Sequence, residues 1–155
     1  MDWYVLVLRL IHVIGGVFWA GAYLALVRFF VPSVRSGEPA EGRIMGRLMP
    51  KMGPALGGAA TLTVISGVLL FTRDFGAASS VSASMIGFGI GGLAATIAWL
   101  LGILMFTPLG RRFGWGFTPG AEGNESASPG VTRLGPTVAV LVFVAVLSMS
   151  VSRYL

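Results

Sequence analysis

The apolar stretch that decides the fold begins at Trp3, reads WYVLVLRLIHVIGGVFWAGAYLALVRFFV and ends at Val31. Only Arg9, His12 and Arg28 interrupt its apolar and small residues. A helix needs roughly 20 mostly apolar residues to cross the hydrocarbon core of a bilayer. This stretch is longer than that, so it predicts a transmembrane helix.

Three more stretches of the same character follow, and they cover residues 54–72, 82–107 and 136–154. Pro54 and Pro136 stand at the beginning of two of them, where the first turn of a helix has no use for a backbone N–H. The sequence therefore predicts an all-α fold, an integral membrane four-helix bundle that forms a single transmembrane domain over residues 1–155.

The composition agrees with a membrane protein. Hydrophobic residues make up 55% of the chain and charged residues 11%, with a mean hydropathy of +0.84, whereas a soluble domain carries about a quarter charged residues. The absence of cysteine excludes disulfides, iron–sulfur clusters and thiolate zinc sites. A single histidine excludes a metal site with two or more histidines from one chain. No serine–histidine–acid arrangement, carboxylate pair or phosphate-binding loop indicates an enzymatic reaction.

The distribution of basic residues predicts the orientation. The two longer connections are residues 33–53, expected to be a partly helical basic loop, and residues 108–135, rich in Gly, Ser and Pro. Counted with Arg28, they carry eight basic residues, against three on the opposite side. Cytoplasmic loops carry the excess of Lys and Arg. We therefore expect a multi-pass protein of the cell inner membrane, with both connections cytoplasmic and both termini outside. The net charge of +5 reflects this topology and indicates no nucleic-acid partner.

Small residues four apart predict where helices approach each other closely. Gly87 and Gly91 form such a pair in the third span, and Gly16 and Ala20 form another in the first. Small residues allow helix backbones to pack tightly in a bilayer, where apolar surfaces gain little from leaving the lipid.

One stripe of the first span carries the candidate site. Arg9, His12, Gly16, Trp19 and Tyr23 follow one another at intervals of three or four residues, which places them on one helix face. Ionisable residues inside a membrane are costly and usually functional.

The stripe has two interpretations. In the first it binds a cofactor: His12 is the metal ligand, to haem iron or to copper, Gly15 and Gly16 leave room for a flat macrocycle, and Arg9 pairs with haem propionates. In the second, His12 hydrogen-bonds across the bundle to Ser66 or Thr63, and Arg9 reaches the outer headgroups.

Two sets of methionines add candidate ligands. The first set, beside the basic connection at helical spacing, has thioethers that suit copper(I) or pack against the bilayer surface: Met45, Met49 and Met52. The second set, in or at the ends of spans, offers a second axial ligand for haem: Met85, Met105 and Met149.

The first helix also resembles known families. The segment from Leu10 to Gly21, LIHVIGGVFWAG, resembles the first-helix signature of copper-resistance CopD-like proteins and HemJ-like membrane protoporphyrinogen oxidases, in which a histidine precedes small residues, an aromatic residue and a glycine. MGRL from Met45 and SGVLL from Ser66 look like the second helix of the same group.

The resemblance covers about the first 70 residues. In the HemJ-like group it implies haem held by His12, and in the CopD-like group it implies copper handling by a larger bundle. The HemJ-like group also has a lysine in its third helix, where this chain has none, because its only lysine is Lys51.

Together these features predict a protein that binds haem b through His12 and serves electron transfer or the assembly of haem or redox complexes. The second axial ligand is a methionine, water or His12 of another protomer. The first alternative is a non-catalytic accessory subunit of a larger membrane complex, and copper handling is the second. The expected partners are the lipid bilayer and either further copies of the chain or a larger complex.

Overall fold

The computed structural model describes residues 2–32, 39–107, 109, 112–113, 117–119, 125–127 and 129–154. Four helices in this part of the chain are long and apolar enough to cross a membrane. They are α1 (Trp3–Ala25, continued by a π-helical segment at Leu26–Phe30), α2 (Pro39–Phe75), α3 (Ala83–Phe106) and α4 (Pro129–Ser152). The predicted all-α membrane bundle of four helices is confirmed.

Two helices begin earlier than the sequence predicted. α2 starts at Pro39, so much of the expected loop at residues 33–53 is helical, and residues 33–38 lie outside the described part. Pro54 and Pro136 are not first residues of their helices but lie inside them. An interior proline removes one backbone hydrogen bond. Helices in a bilayer tolerate this loss because local adjustments and neighbouring groups satisfy the freed carbonyl.

The connection between α3 and α4 contains two short strands. β1 (Phe117–Pro119) and β2 (Glu125–Ala127) pair in antiparallel register, with Thr118 opposite Ser126. The sequence predicted no strand in this glycine-rich connection.

α1 and α2 pack as an antiparallel pair, and their contact surface is called here the α1–α2 seam. The buried side chains of these two helices recur at intervals of three, four, seven or eleven residues, which is the spacing of one helix face. On α1 they are Val5, Leu8, Trp19, Tyr23 and, in the π-helical segment, Leu26; on α2 they are Met49, Leu56, Ala60, Thr63 and Ser66. Arg73 near the end of α2 pairs with Asp2, before α1, at 2.7 Å, and His12 further along α1 contacts the earlier residue Thr63, so the two helices run antiparallel.

α3 and α4 approach each other through small residues. A Cβ at Gly91 would lie 2.8 Å from Met149 Cγ and 3.1 Å from the Ala145 carbonyl oxygen. The Ser148 hydroxyl donates a 2.6 Å hydrogen bond to the Gly87 carbonyl. The close approach predicted from Gly87 and Gly91 is confirmed.

The two helix pairs meet where α2 contacts α3. The Trp99 indole N–H donates to the Thr61 hydroxyl at 2.9 Å. Gly53 lies against the Phe106 ring, because a Cβ added at Gly53 would be 3.3 Å from Phe106 Cδ1. Large apolar side chains, among them Val17 and Phe143, are exposed on the outside. Such a surface suits a bilayer and not water, so the chain is a multi-pass membrane protein.

Candidate functional site

The only histidine of the chain lies in the α1–α2 seam. The His12 side chain is half-buried, and its Nδ1 is 2.8 Å from the Thr63 carbonyl oxygen. A carbonyl oxygen accepts hydrogen bonds and cannot donate them, so Nδ1 carries the proton. In the neutral ring the lone pair is then on Nε2. This arrangement fixes both the tautomer and the orientation of the imidazole.

The Ser66 hydroxyl completes the polar surroundings of the ring, and it also lies 3.1 Å from the Thr63 carbonyl oxygen that His12 Nδ1 uses. This hydroxyl lies 3.5 Å from His12 Nδ1 but is 2.6 Å from the Leu62 carbonyl oxygen, to which it donates. The predicted hydrogen bond across the bundle to Thr63 or Ser66 is therefore confirmed, with the main chain of Thr63 as the principal acceptor. Because this bond uses only Nδ1, it leaves the coordinating capacity of Nε2 intact. No described residue hydrogen-bonds to Nε2.

Gly67 provides the space that the imidazole occupies. A Cβ at this position would lie 2.7 Å from His12 Cε1 and 3.1 Å from Nδ1. Any larger residue would therefore push the ring away from the Thr63 carbonyl. Gly67 lies within the segment SGVLL that carries the family resemblance, but the sequence indicates no role for it, because that role depends on which residue of α1 it faces.

The surface over Gly15 and Gly16 is closed, contrary to expectation. A Cβ at Gly15 would lie 2.7 Å from Thr63 Oγ1, and one at Gly16 would lie 3.4 Å from Thr63 Cγ2. The two glycines bring the helices together, and the side chain of Thr63 fills the space in which a macrocycle was expected. The prediction that this face leaves room beside α1 was wrong.

Arg9 lies one turn before His12 and points outward. Its side chain is exposed, and it forms no ion pair with any residue that the structure describes. Both predicted roles, pairing with an anionic group and reaching toward the headgroups, require this availability.

Trp19 and Tyr23 belong to a different place from His12. Both are buried, and both line a cavity of about 460 Å³ between α1, α2 and α3. His12, Arg9 and Gly16 are not among its lining residues. The predicted stripe therefore divides into a polar part around His12 and an aromatic part, whose nearest member Trp19 follows roughly 10 Å further along the helix axis.

The methionines are dispersed among separate surroundings. Met49 and Met105 line the cavity, and Met105 Sδ accepts a hydrogen bond from Tyr23 at 3.6 Å. Met149 packs against Gly91 in the α3–α4 contact, and the side chain of Met45 lies outside the described part. Among the described residues, no three His, Asp or Glu side chains come together as a metal site.

These observations define the class of protein: an all-α, multi-pass membrane protein with one histidine held in a helix seam by a main-chain carbonyl. Comparisons with protein-family models, with curated proteins and with solved structures each find no match. The likeness of the first helix to the CopD-like and HemJ-like groups stays a prediction.

Proposed function

We propose that this chain is a haem-binding membrane protein in which His12 ligates the iron through Nε2. Its role is electron transfer or the assembly of haem or redox complexes. The observation that carries the proposal is the hydrogen bond from His12 Nδ1 to the Thr63 carbonyl oxygen.

Metal-binding histidines almost always donate their second ring N–H to a carboxylate, a backbone carbonyl or water, which fixes the ring and raises the basicity of the coordinating nitrogen. His12 has this arrangement, and its acceptor is held by the α2 backbone. The space left by Gly67 allows the ring to reach that acceptor.

The surroundings of His12 also limit where a porphyrin fits. The Gly15–Gly16 surface is filled by Thr63, so the macrocycle requires the bilayer-facing edge of the seam or a second copy of the chain. The second of these arrangements would make a homo-oligomer, or a larger complex that supplies an equivalent surface, the functional unit. Arg9, exposed and three residues before His12, supplies a cation for propionate carboxylates. When bound, haem would supply a one-electron redox centre.

The orientation is part of the proposal. We place the protein in the inner membrane with the connections at residues 33–53 and 108–135 on the cytoplasmic side, and eight basic residues against three support that side. Asp2 contacts Arg73, and Gly87 contacts Ser148, so both ends of the chain lie beside the α2–α3 turn. His12 is then in the outer half of the bilayer.

The second candidate is a non-catalytic accessory subunit of a larger membrane complex. The hydrogen bond from His12 to Thr63 also favours this candidate, because it joins α1 to α2 whether or not a ligand is present. In that case His12 has a purely structural role. Copper handling is the third candidate, and it rests on thioethers such as that of Met49, which is buried in the cavity wall.

The test compares absorption spectra of the detergent-purified protein, first oxidised and then reduced with dithionite. We expect a Soret band and reduced α/β bands of a b-type haem. His12→Asn is the informative variant, because its amide nitrogen can replace Nδ1 as donor to Thr63 while no ligand remains at the position of Nε2.

We expect His12→Asn and His12→Ala to fold without haem, and Ser66→Ala, which keeps the ligand, to retain it. Haem content unchanged in His12→Asn would overturn the proposal. A featureless spectrum after haem reconstitution of the wild-type protein would also overturn it and would leave the accessory subunit as the better account.

A further inference from the structure

The cavity between α1, α2 and α3 is a second candidate site, separate from His12. Its lining residues include the rings of Trp19, Tyr23, Trp99 and Phe106, together with Met49 and Met105. None of the lining residues is charged. A pocket of this size, mostly apolar and with a few polar groups, is typical of small-molecule sites. The absence of a charged lining residue favours a neutral ligand.

Tyr23 supplies a buried hydroxyl donor in this wall, and the acceptor of that donor is a weak one. The residue is 1% exposed, and its hydroxyl donates to Met105 Sδ at 3.6 Å. A thioether sulfur is a weak acceptor, and a buried hydroxyl with a weak partner is costly relative to one with a strong partner. An oxygen acceptor that enters the cavity would therefore form a better hydrogen bond than the one it replaces.

Trp99 contributes ring surface to the cavity instead of a donor. The Trp99 N–H is already used by the Thr61 hydroxyl at 2.9 Å, so its contribution to the cavity is the indole ring. Aromatic side chains bind flat rings by offset stacking and edge contacts. The residues Trp19 on α1 and Trp99 on α3 therefore favour a flat ligand, and the Tyr23 hydroxyl favours one with a hydrogen-bond acceptor.

We propose that this cavity binds a neutral, membrane-dissolved molecule with a flat apolar ring and a carbonyl oxygen, the chemistry of a lipophilic quinone. The carbonyl accepts the Tyr23 hydroxyl hydrogen bond in place of Met105, and the ring lies among Trp19 and Trp99. The proposal does not rest on haem binding, because His12 does not line the cavity.

Two glycines in the wall allow the cavity to be filled without disturbing the bundle. Gly57 and Gly102 line it, and a Cβ at either position would meet no other heavy atom within 4 Å. A leucine at either position therefore meets no obstacle at its Cβ and can occupy part of the cavity that the residue lines. Gly58 and Gly92 are matched controls, because a Cβ there also meets nothing within 4 Å but neither residue lines the cavity.

The experiment titrates the full chain in detergent micelles with menadione, a short naphthoquinone that quenches tryptophan fluorescence. The His12→Asn background removes any haem from the measurement. We expect saturable quenching, because Trp19 and Trp99 contact the site, above a linear background from exposed Trp3. Tyr23→Phe should weaken the saturable phase about fivefold to tenfold through loss of one hydrogen bond.

Gly57→Leu and Gly102→Leu should abolish the saturable phase, and Gly58→Leu and Gly92→Leu should retain it. Quenching that is linear in every variant, or equally saturable in the filled and control variants, would mean partition into the micelle and would overturn the proposal. A saturable phase in protein that binds no haem would separate this proposal from the function proposed for His12.

Discussion

His12 donates its Nδ1–H to the main-chain carbonyl oxygen of Thr63 at 2.8 Å, across 51 residues of sequence. The acceptor belongs to the backbone, so no side-chain substitution at position 63 removes it. Because the ring is oriented by the fold, the chemical role of His12 depends on what reaches Nε2. The bond is compatible with both interpretations of this histidine. It is a contact between two helices, and it is also the hydrogen bond that a metal-binding histidine usually donates through its second ring nitrogen.

The space at Gly67 gives the first prediction. A methyl group there would lie 2.7 Å from His12 Cε1, so Gly67→Ala should displace the imidazole and weaken the α1–α2 seam. We expect the free energy of unfolding in detergent to fall by roughly 1–3 kcal/mol, the range for overpacking. Thermal unfolding followed by circular dichroism would measure this.

The matched control for Gly67→Ala is Gly58→Ala on the same helix, where a Cβ meets nothing within 4 Å. It should be no less stable than the wild-type protein. If the two variants unfolded at the same temperature, Gly67 would not be the residue that admits the ring. Where haem is bound, its content should also fall in Gly67→Ala and not in Gly58→Ala.

The contact of α3 with α4 gives the second prediction. A Cβ at Gly91 would lie 3.1 Å from the Ala145 carbonyl oxygen, a backbone atom that cannot move aside as the Met149 side chain can. Gly91→Ala should therefore separate the helices and cost roughly 1–3 kcal/mol. Chemical unfolding of Gly92→Ala, where a Cβ meets no atom within 4 Å, should show no loss. Equal losses would indicate a helix-wide effect of alanine and not a local contact.

The existence of the four spans follows from the sequence alone, because length and hydropathy suffice to identify a helix that crosses a bilayer. The helix starts do not follow in the same way. A proline such as Pro54 or Pro136 is typical of the first turn of a helix. Inside a membrane bundle the lost hydrogen bond is tolerated, and both residues are interior. Gly87 and Gly91 were identified correctly because close approach needs little more than small residues at the right spacing.

The candidate site was predictable in part. A hydrogen bond from His12 across the bundle to Ser66 or Thr63 was one of the two interpretations of the stripe, and the structure contains it. The cavity was not expected, because its wall joins Trp19 on α1 to Trp99 on α3. Spacing within one helix cannot show which helices meet around an empty space. For the same reason, the spacing in α1 could not show that Thr63 on α2 fills the surface over Gly16.

The orientation gives the third prediction. The chain has no cysteine, so single-cysteine variants have no background labelling. Ser79→Cys in the α2–α3 turn should react on intact cells with a membrane-impermeant maleimide, because the positive-inside rule puts this turn outside. Leu109→Cys, beyond α3 and exposed, should react only after permeabilisation. The reverse pattern would place His12 in the inner half of the bilayer and correct the proposed orientation.

The packing of Gly15 against Thr63 gives the fourth prediction, which concerns a pair of residues. A Cβ at Gly15 would lie 2.7 Å from Thr63 Oγ1, so Gly15→Ala alone should destabilise the seam. Thr63→Ala removes the obstructing side chain but keeps the carbonyl that orients His12. The double variant should therefore recover stability, and the coupling free energy should be roughly 0.5–3 kcal/mol, as for residues in direct contact.

A double-mutant cycle in detergent measures that coupling free energy directly, and Gly21→Ala with Thr63→Ala supplies the control, because a Cβ at Gly21 meets nothing within 4 Å. The control pair should be additive. Since the Thr63 carbonyl survives in every variant of the cycle, His12 should keep its orientation in the double variant. Additivity in the Gly15 cycle as well would mean that the helices do not meet at this residue, and the closed surface beside His12 would have to be reconsidered as open to a macrocycle.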